Sequence, residues 1–164
     1  LEINQLSLKW IRENLTYLPQ EPKFVDGRLL ENIVGANEVN KIFFKEVLKR
    51  SDLESFINSH PEGINMNLEN RGENLPLGIR KRIALARSMM VNGKLFLFDE
   101  PTGGLDEKGQ NCIYRLIQEV KKSNLTMFVA TADEKIIEQS SMIINLDAKP
   151  KPEITKDNIK YKTK

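Results

Sequence analysis

The sequence predicts an α/β fold, a parallel sheet with flanking helices, and three observations carry that reading. Apolar runs of strand length alternate with stretches of helical period from Leu15 onward, the pattern of βαβ units. The run Leu95 to Phe98 is continuously apolar and closes on Asp99, as a buried parallel strand does. Turn formers such as Asp26-Gly27 and Asn92-Gly93 separate the elements.

Bulk properties narrow the field. A chain of 164 residues is long enough for one domain with a real core. Its 40% hydrophobic and 29% charged content is that of an ordinary globular protein. A net charge of +2 gives no electrostatic reason to bind nucleic acid or membrane. Cys112 is the single cysteine, so no intrachain disulfide forms and a reducing compartment is expected. No apolar run reaches the roughly 20 residues of a membrane helix, and no signal peptide opens the chain. Leu1 to Leu8 carries neither an initiator Met nor a helix cap and reads as the middle of a longer chain.

The elements follow in order. Leu15 to Leu18 is β-branched, aromatic and stopped by Pro19, hence a strand. Leu29 to Val34 and Val39 to Leu48 repeat apolar residues at helical spacing. A short helix around Leu53 to Ile57 ends before Pro61, and the polar stretch Gly63 to Gly72 is read as loop. From Gly78, residues Ile79, Ile83, Leu85, Ala86 and Met90 form the apolar face of a helix whose other side carries Arg80, Lys81, Arg82 and Arg87. Strand Lys94 to Asp99, helix Glu107 to Lys122, strand Thr126 to Thr131, a short helix near Glu134 to Gln139 and strand Met142 to Leu146 complete the pattern. The Lys-rich tail 148–164, broken by prolines, is expected to be mobile.

The chemistry concentrates at Asp99-Glu100-Pro101. A carboxylate at the carboxyl end of a parallel strand points to the crevice where such sheets bind ligands. There Asp99 can hold Mg²⁺ through oxygen, and Glu100 can accept a proton from an attacking water. A strand can also simply end on acidic residues before a proline, so this tripeptide alone is a weak signal. Met89, Met90, Phe43 and Phe44 are read as packing, and His60 as a surface residue.

Five further elements stand in order around that strand end. Tyr17 to Gln20 looks like a Q-loop. Asp26-Gly27 through Glu31-Asn32-Ile33 and Glu69 to Gly72 resemble the segments exporters carry after it, the latter the X-loop. Asn74 to Arg87 (NLPLGIRKRIALAR) looks like a signature motif with its helix, Leu95 to Glu100 like Walker B, and Gly103 to Asp106 like a D-loop. In this the chain resembles the nucleotide-binding domain of ABC transporters of the exporter type, up to about Asp147. The resemblance implies a partial RecA-like P-loop NTPase core and an ABC α-helical subdomain over about residues 21–90. It implies ATP and Mg²⁺ as cofactors, with Asp99 and Gln20 at the metal, Glu100 as base and Gln20 on the attacking water. Leu75, Pro76, Leu77, Gly78 and Ile79 would face a partner's ATP, and Asp106 would lie at the interface of two such domains. A second nucleotide-binding domain, identical or not, and transmembrane domains are the implied partners, on the cytoplasmic side of the cell (inner) membrane.

Three departures from the family pattern accompany these matches. G-x-x-x-x-G-K-S/T occurs nowhere; the family carries that Walker A loop upstream of where Leu1 begins, so a longer natural chain is expected. The usual Leu-Ser-Gly-Gly-Gln is Leu75-Pro76-Leu77-Gly78-Ile79, in which Pro76 lacks a hydroxyl and an N–H, and Leu77 adds bulk. Gly78 survives and opens the helix. Where the family has Thr-His after the strand run Met127 to Ala130, the chain has Thr131-Ala132, and an alanine at that H-loop position holds no phosphate. The resulting expectation is an ATP-binding part of an exporter with weak hydrolysis. The alternative is a non-hydrolysing regulatory or structural ABC subunit. The ABC ATPases of DNA repair lack the segments around Asp26 to Ile33 and Glu69 to Gly72, and no nucleic-acid partner is expected.

Overall fold

Three parallel strands set the frame. In the computed structural model, which describes residues 5–35, 39–91 and 93–156, β1 (Leu15–Leu18), β4 (Leu95–Asp99) and β5 (Thr126–Ala130) pair in the order β1-β4-β5. The register aligns Leu18 with Phe98 and Phe98 with Val129. Alternate side chains share a face, so Thr16, Leu18, Phe96 and Phe98 form one buried surface, with the two phenylalanine rings edge to face at 6.2 Å. The opposite face carries Tyr17, Leu97 and Phe128 in one row, and Tyr17 and Phe128 are exposed. Among the described residues, only the Phe96–Phe98 side is fully covered.

Residues between the first two of these strands build a helical layer. It comprises β2 (Gly27–Arg28), α2 (Leu29–Val34), α3 (Lys41–Arg50), α4 (Glu54–Ser59), β3 (Asn67–Leu68) and α5 (Leu77–Met90). Leu29, Ile33, Val47, Leu53, Leu68 and Ile83 form its core, each 1% exposed or less. Burial of such a side chain contributes about 1.5–3 kcal/mol, which holds short helices that would not persist alone. Phe44, Met89 and Met90 pack against this core, as read. The stretch Gly63 to Gly72 is more ordered than a loop: β3 pairs antiparallel with β2, flanked by two 3₁₀ turns. Two-residue strands carry no periodicity for sequence to show.

Helix α5 packs on α2, α3 and β1. Ile83 and Ala86 enter the helical core, while Lys81, Ala84, Leu85 and Ser88 form a second buried stripe at helical spacing. The placement of Lys81 on the helix's polar side is corrected, since only 3% of it is exposed. α6 (Glu107–Lys122) has the predicted bounds and contacts β5, with Cys112, Ile113, Leu116 and Val120 buried. At the other end, α1 (Leu8–Asn14) is capped by the Ser7 hydroxyl, which accepts from Trp10 N at 3.1 Å. That corrects the reading of Leu1 to Leu8 as uncapped; residues 1–4 lie outside the described ones. His60 is half-buried rather than fully exposed, and its Nδ1 accepts from Glu62 N.

Residues 131–164 form a second unit. It holds α7 (Glu134–Ile137), capped by Asp133, and β6 (Met142–Asn145). β6 pairs antiparallel with β7 (Glu153–Lys156), so part of the tail read as mobile is a strand. Residues 157–164 lie outside the described ones, as does Asn92 of the expected Asn92-Gly93 stop. Among the described residues no helix is long and apolar enough to cross a membrane.

Candidate functional site

The site is built where β4 ends. Asp99 is the strand's last residue, paired in register with Ala130, and both Asp99 and Glu100 are half-buried. β1 ends alongside at Leu18, aligned with Phe98, and Gln20 follows two residues past that strand end, as Glu100 follows Asp99. Gln20 is exposed. The structure thus brings the three predicted polar residues to the carboxyl end of one parallel pair, the usual ligand-binding edge of such sheets.

Glu100 departs from the strand in a left-handed conformation, φ 42°. For a residue with a Cβ this costs roughly 1–2 kcal/mol, so something must hold it. Its N–H donates to Ala130 O at 2.8 Å. Its carbonyl accepts twice, from Gly103 N at 3.2 Å, closing a turn, and from Lys81 Nζ at 2.6 Å. A hydrogen bond to a charged group contributes about 1.5–3 kcal/mol, enough to offset the strained backbone. Burial pushes the Lys81 ammonium below its ordinary range, while the nearby carboxylates of Glu100, Asp99 and Glu21 act against that shift. Pro101 and Thr102 are buried inside the turn.

The chain then runs through Gly103 to Asp106 against the start of α5. A Cβ on Gly104, φ 72°, would come within 2.8 Å of Leu77 Cδ2, and one on Gly78 within 3.5 Å of Gly104 O. The residues Leu75 to Ile79 and the loop to Asp106 therefore touch within the one chain. Leu75, Leu77, Gly78 and Ile79 are half-buried and Pro76 is exposed. Pro76 is the N-cap of α5 and forms no side-chain cap bond, while its carbonyl accepts from Ile79 N and Arg80 N at 3.0 Å. Asp106 caps α6 through Gly109 N at 2.9 Å and also accepts from Arg82 Nη2. The Gly109 amide first, then Arg82, hold its carboxyl below the usual carboxylate range.

Downstream of Gln20, the segment to Arg28 is locked to the helical layer. Buried Asn32 accepts from Val25 N at 3.0 Å and donates to Val25 O at 2.8 Å. Arg87 donates to Asn32 O at 2.7 Å and lies over the Phe24 ring, 4.9 Å from its centre. Ala132 is exposed and belongs to the second unit.

A magnesium–nucleotide fits this donor set. Among the described residues no group of three or more His, Cys, Asp or Glu side chains could hold a metal. Asp99 and Gln20 offer only oxygen on the acceptor side. Mg²⁺ suits that poverty, since it keeps several waters and takes one or two carboxylates plus phosphate oxygens.

Sequence reading missed Lys81 and Arg82 as site neighbours. The signal was present: Lys81, Ala84, Leu85 and Ser88 recur at i, i+3, i+4 and i+7, a second stripe headed by a lysine.

Comparison with known proteins bears on the family and the fold. The family described as ABC transporter matches residues 2–103. The chain is 34% identical to ABC transporter B family member 13 of Arabidopsis thaliana, over 79% of this chain and 10% of that one. It is 27% identical to the ATP-dependent lipid A-core flippase of Francisella tularensis subsp. holarctica (strain OSU18), over 88% of this chain and 25% of that one. Its fold resembles part of a bacterial Atm1-family ABC exporter solved with ATP bound, with a TM-score of 0.77, 24% identity, and coverage of 87% and 25% of the two chains. The chain spans between a tenth and a quarter of the length of these relatives.

Proposed function

This chain belongs to the ABC transporter family, and from that premise we propose that it is part of the ATP-binding domain of an exporter, with weak hydrolysis at the sites it helps to build. The observation that carries the reading is the placing of Asp99 and Glu100 at the end of the central parallel strand, with Gln20 two residues past the end of the neighbouring one. Under this reading residues 1–147 are nucleotide-binding domain, with a helical subdomain over about 21–90, and 148–164 a tail. Asp99 and Gln20 would hold Mg²⁺, which would neutralise phosphate charge. Glu100 would accept the proton of the attacking water, which Gln20 orients.

The weak-hydrolysis part is motivated by substitutions rather than by the fold. Pro76 withdraws a hydroxyl and an N–H from the start of α5, Leu77 adds bulk beside them, and lost hydrogen bonds to a charged group cost about 1.5–3 kcal/mol each. Ala132 offers no polar group where the family places histidine. The partners proposed are a second nucleotide-binding domain and transmembrane domains, with this domain on the cytoplasmic side of the cell membrane.

The test is steady-state ATP hydrolysis by the intact protein, compared with a variant carrying Pro76→Ser, Leu77→Gly and Ala132→His. Slow turnover that rises in the variant is expected. Fast turnover by the unmodified protein would overturn the weak-hydrolysis reading. Failure to bind ATP at all would overturn the nucleotide reading. Tight ATP binding with no turnover in either protein would favour a non-hydrolysing structural or regulatory subunit, a reading that the same three substituted positions motivate.

A further inference from the structure

We propose that Lys81 is a positioning residue that fixes the main chain of Glu100, and with it the direction in which the Asp99–Glu100 pair leaves β4. The inference rests on the proposed function only for what the pair is held toward; the holding itself is a property of the turn.

Glu100 is gripped at both of its peptide groups. Its N–H is tied to β5 through Ala130 O, which fixes the near side. Its carbonyl is held by Gly103 N at 3.2 Å and by Lys81 Nζ at 2.6 Å. Between these two grips the backbone sits at φ 42°, a conformation that a glutamate abandons when released. The Gly103 contact is the longer and uncharged one, and it moves with the turn it closes. Lys81 is anchored elsewhere, on a fourteen-residue helix, in a buried stripe with Ala84, Leu85 and Ser88. It therefore supplies an external reference point for a strained residue, which a bond within the turn cannot do.

The lysine also approaches the following loop. A Cβ on Gly103 would meet Lys81 Nζ at 3.5 Å and Glu100 O at the same distance. One ammonium thus stands at the junction of the acidic pair and the glycine loop that leads to Leu77 and Asp106. A lysine that served merely to fill space would have no need of a terminal donor 2.6 Å from the carbonyl of the strained residue.

The intact protein with Lys81→Met, which keeps the stem and removes the donor, is compared with Lys81→Gln, whose carboxamide still donates. The probes are amide hydrogen exchange at Gly103 and the kcat and KM for ATP. Lys81→Met is expected to speed exchange at Gly103 by about tenfold and to lower kcat by a similar factor, the size of one lost charged hydrogen bond, with KM for ATP nearly unchanged. Lys81→Gln is expected to recover at least half of both effects on a logarithmic scale. Wild-type exchange at Gly103 in Lys81→Met, or Lys81→Gln as impaired as Lys81→Met, would overturn the proposal. Should the protein neither bind nor hydrolyse ATP, the proposed function fails, and the exchange comparison still decides the role of Lys81. Should Lys81→Met not fold, Lys81→Gln is compared with wild type: exchange at Gly103 within about threefold of wild type supports the role, and exchange about tenfold faster or more overturns it.

Discussion

The guanidinium of Arg82 reaches from inside α5 to the carboxylate of Asp106 at the head of α6, joining the helical layer to the loop that follows the acidic pair. The same Nη2 stands 3.2 Å from Asp52 Oδ2, and Nη1 donates to Asp52 O at 3.4 Å. Only 13% of the arginine side chain is exposed, whereas Asp106 is 64% exposed. The contact with Asp52 is the better sheltered of the two and should carry more of the energy. Arg82→Met is expected to lower unfolding free energy by about 2 kcal/mol, chiefly through hydrogen bonds lost to Asp52. Urea denaturation of the intact protein measures it. Arg82→Lys should recover less than half, because an ammonium cannot address two carboxylates in the plane of a fork.

Asp106 gives a pH signature. Its carboxylate caps α6 through Gly109 and is held below the ordinary range by that amide and by Arg82. A group whose folded pKa is depressed contributes stability that is fully present above its unfolded value, here 3.8, and is lost as pH falls through the folded value. Asp106→Ala is expected to cost about 1 kcal/mol at neutral pH. The gap between wild type and Asp106→Ala should narrow only below the ordinary carboxylate pKa. A gap that stays constant down to complete acid unfolding would refute the linkage.

Much of this layout was legible beforehand, and the reasons differ by element. β4 announced itself because a continuous apolar run ending in Asp99 has few other uses, and α6 because Asp106 and the Lys121-Lys122 pair mark both its ends. α1 was missed because none of its residues is buried, so no stripe forms for periodicity to report. β2 and β3 are held by tertiary pairing too short to leave a pattern. At the site, Asp99 and Glu100 stood out as candidates from their place at a strand end, and Gln20 through the resemblance. Lys81 was passed over because a lysine among arginines reads as a solvated face, although its stripe with Ala84, Leu85 and Ser88 was there in the sequence; the carbonyl that it serves shows only in the structure.

Asn32 should be intolerant of substitution far beyond its size. Its side chain satisfies both peptide groups of Val25, donates to Arg28 O at 3.1 Å and accepts from Arg87 Nη2 at 3.2 Å. Removing it strands several part-buried donors and acceptors at once, each costing up to about 1–3 kcal/mol. Asn32→Leu, close in volume, is expected to destabilise by about 3–5 kcal/mol in total, within the range of a broken buried network. Asn32→Asp keeps the acceptor and loses the donor, so it should fall between Leu and wild type. Thermal unfolding of the three proteins at matched pH tests the order, and Asn32→Leu within 1 kcal/mol of wild type, well under the loss of a single such group, would contradict it.

The contact between Leu77 and Gly104 separates two costs that usually travel together. Gly104 has φ 72°, so any Cβ there is strained by the backbone alone, and the added methyl would also lie 2.8 Å from Leu77 Cδ2. Gly104→Ala is expected to cost about 1–2 kcal/mol from the left-handed backbone plus roughly 1–3 kcal/mol from overpacking. Leu77→Ala removes the obstacle and leaves φ as it was. In a double-mutant cycle the coupling energy should therefore be favourable and equal to the overpacking part, with the backbone part surviving in Leu77→Ala/Gly104→Ala. Coupling near zero would mean that the first turn of α5 moves aside freely. The loop to Asp106 would then not be seated on the start of α5.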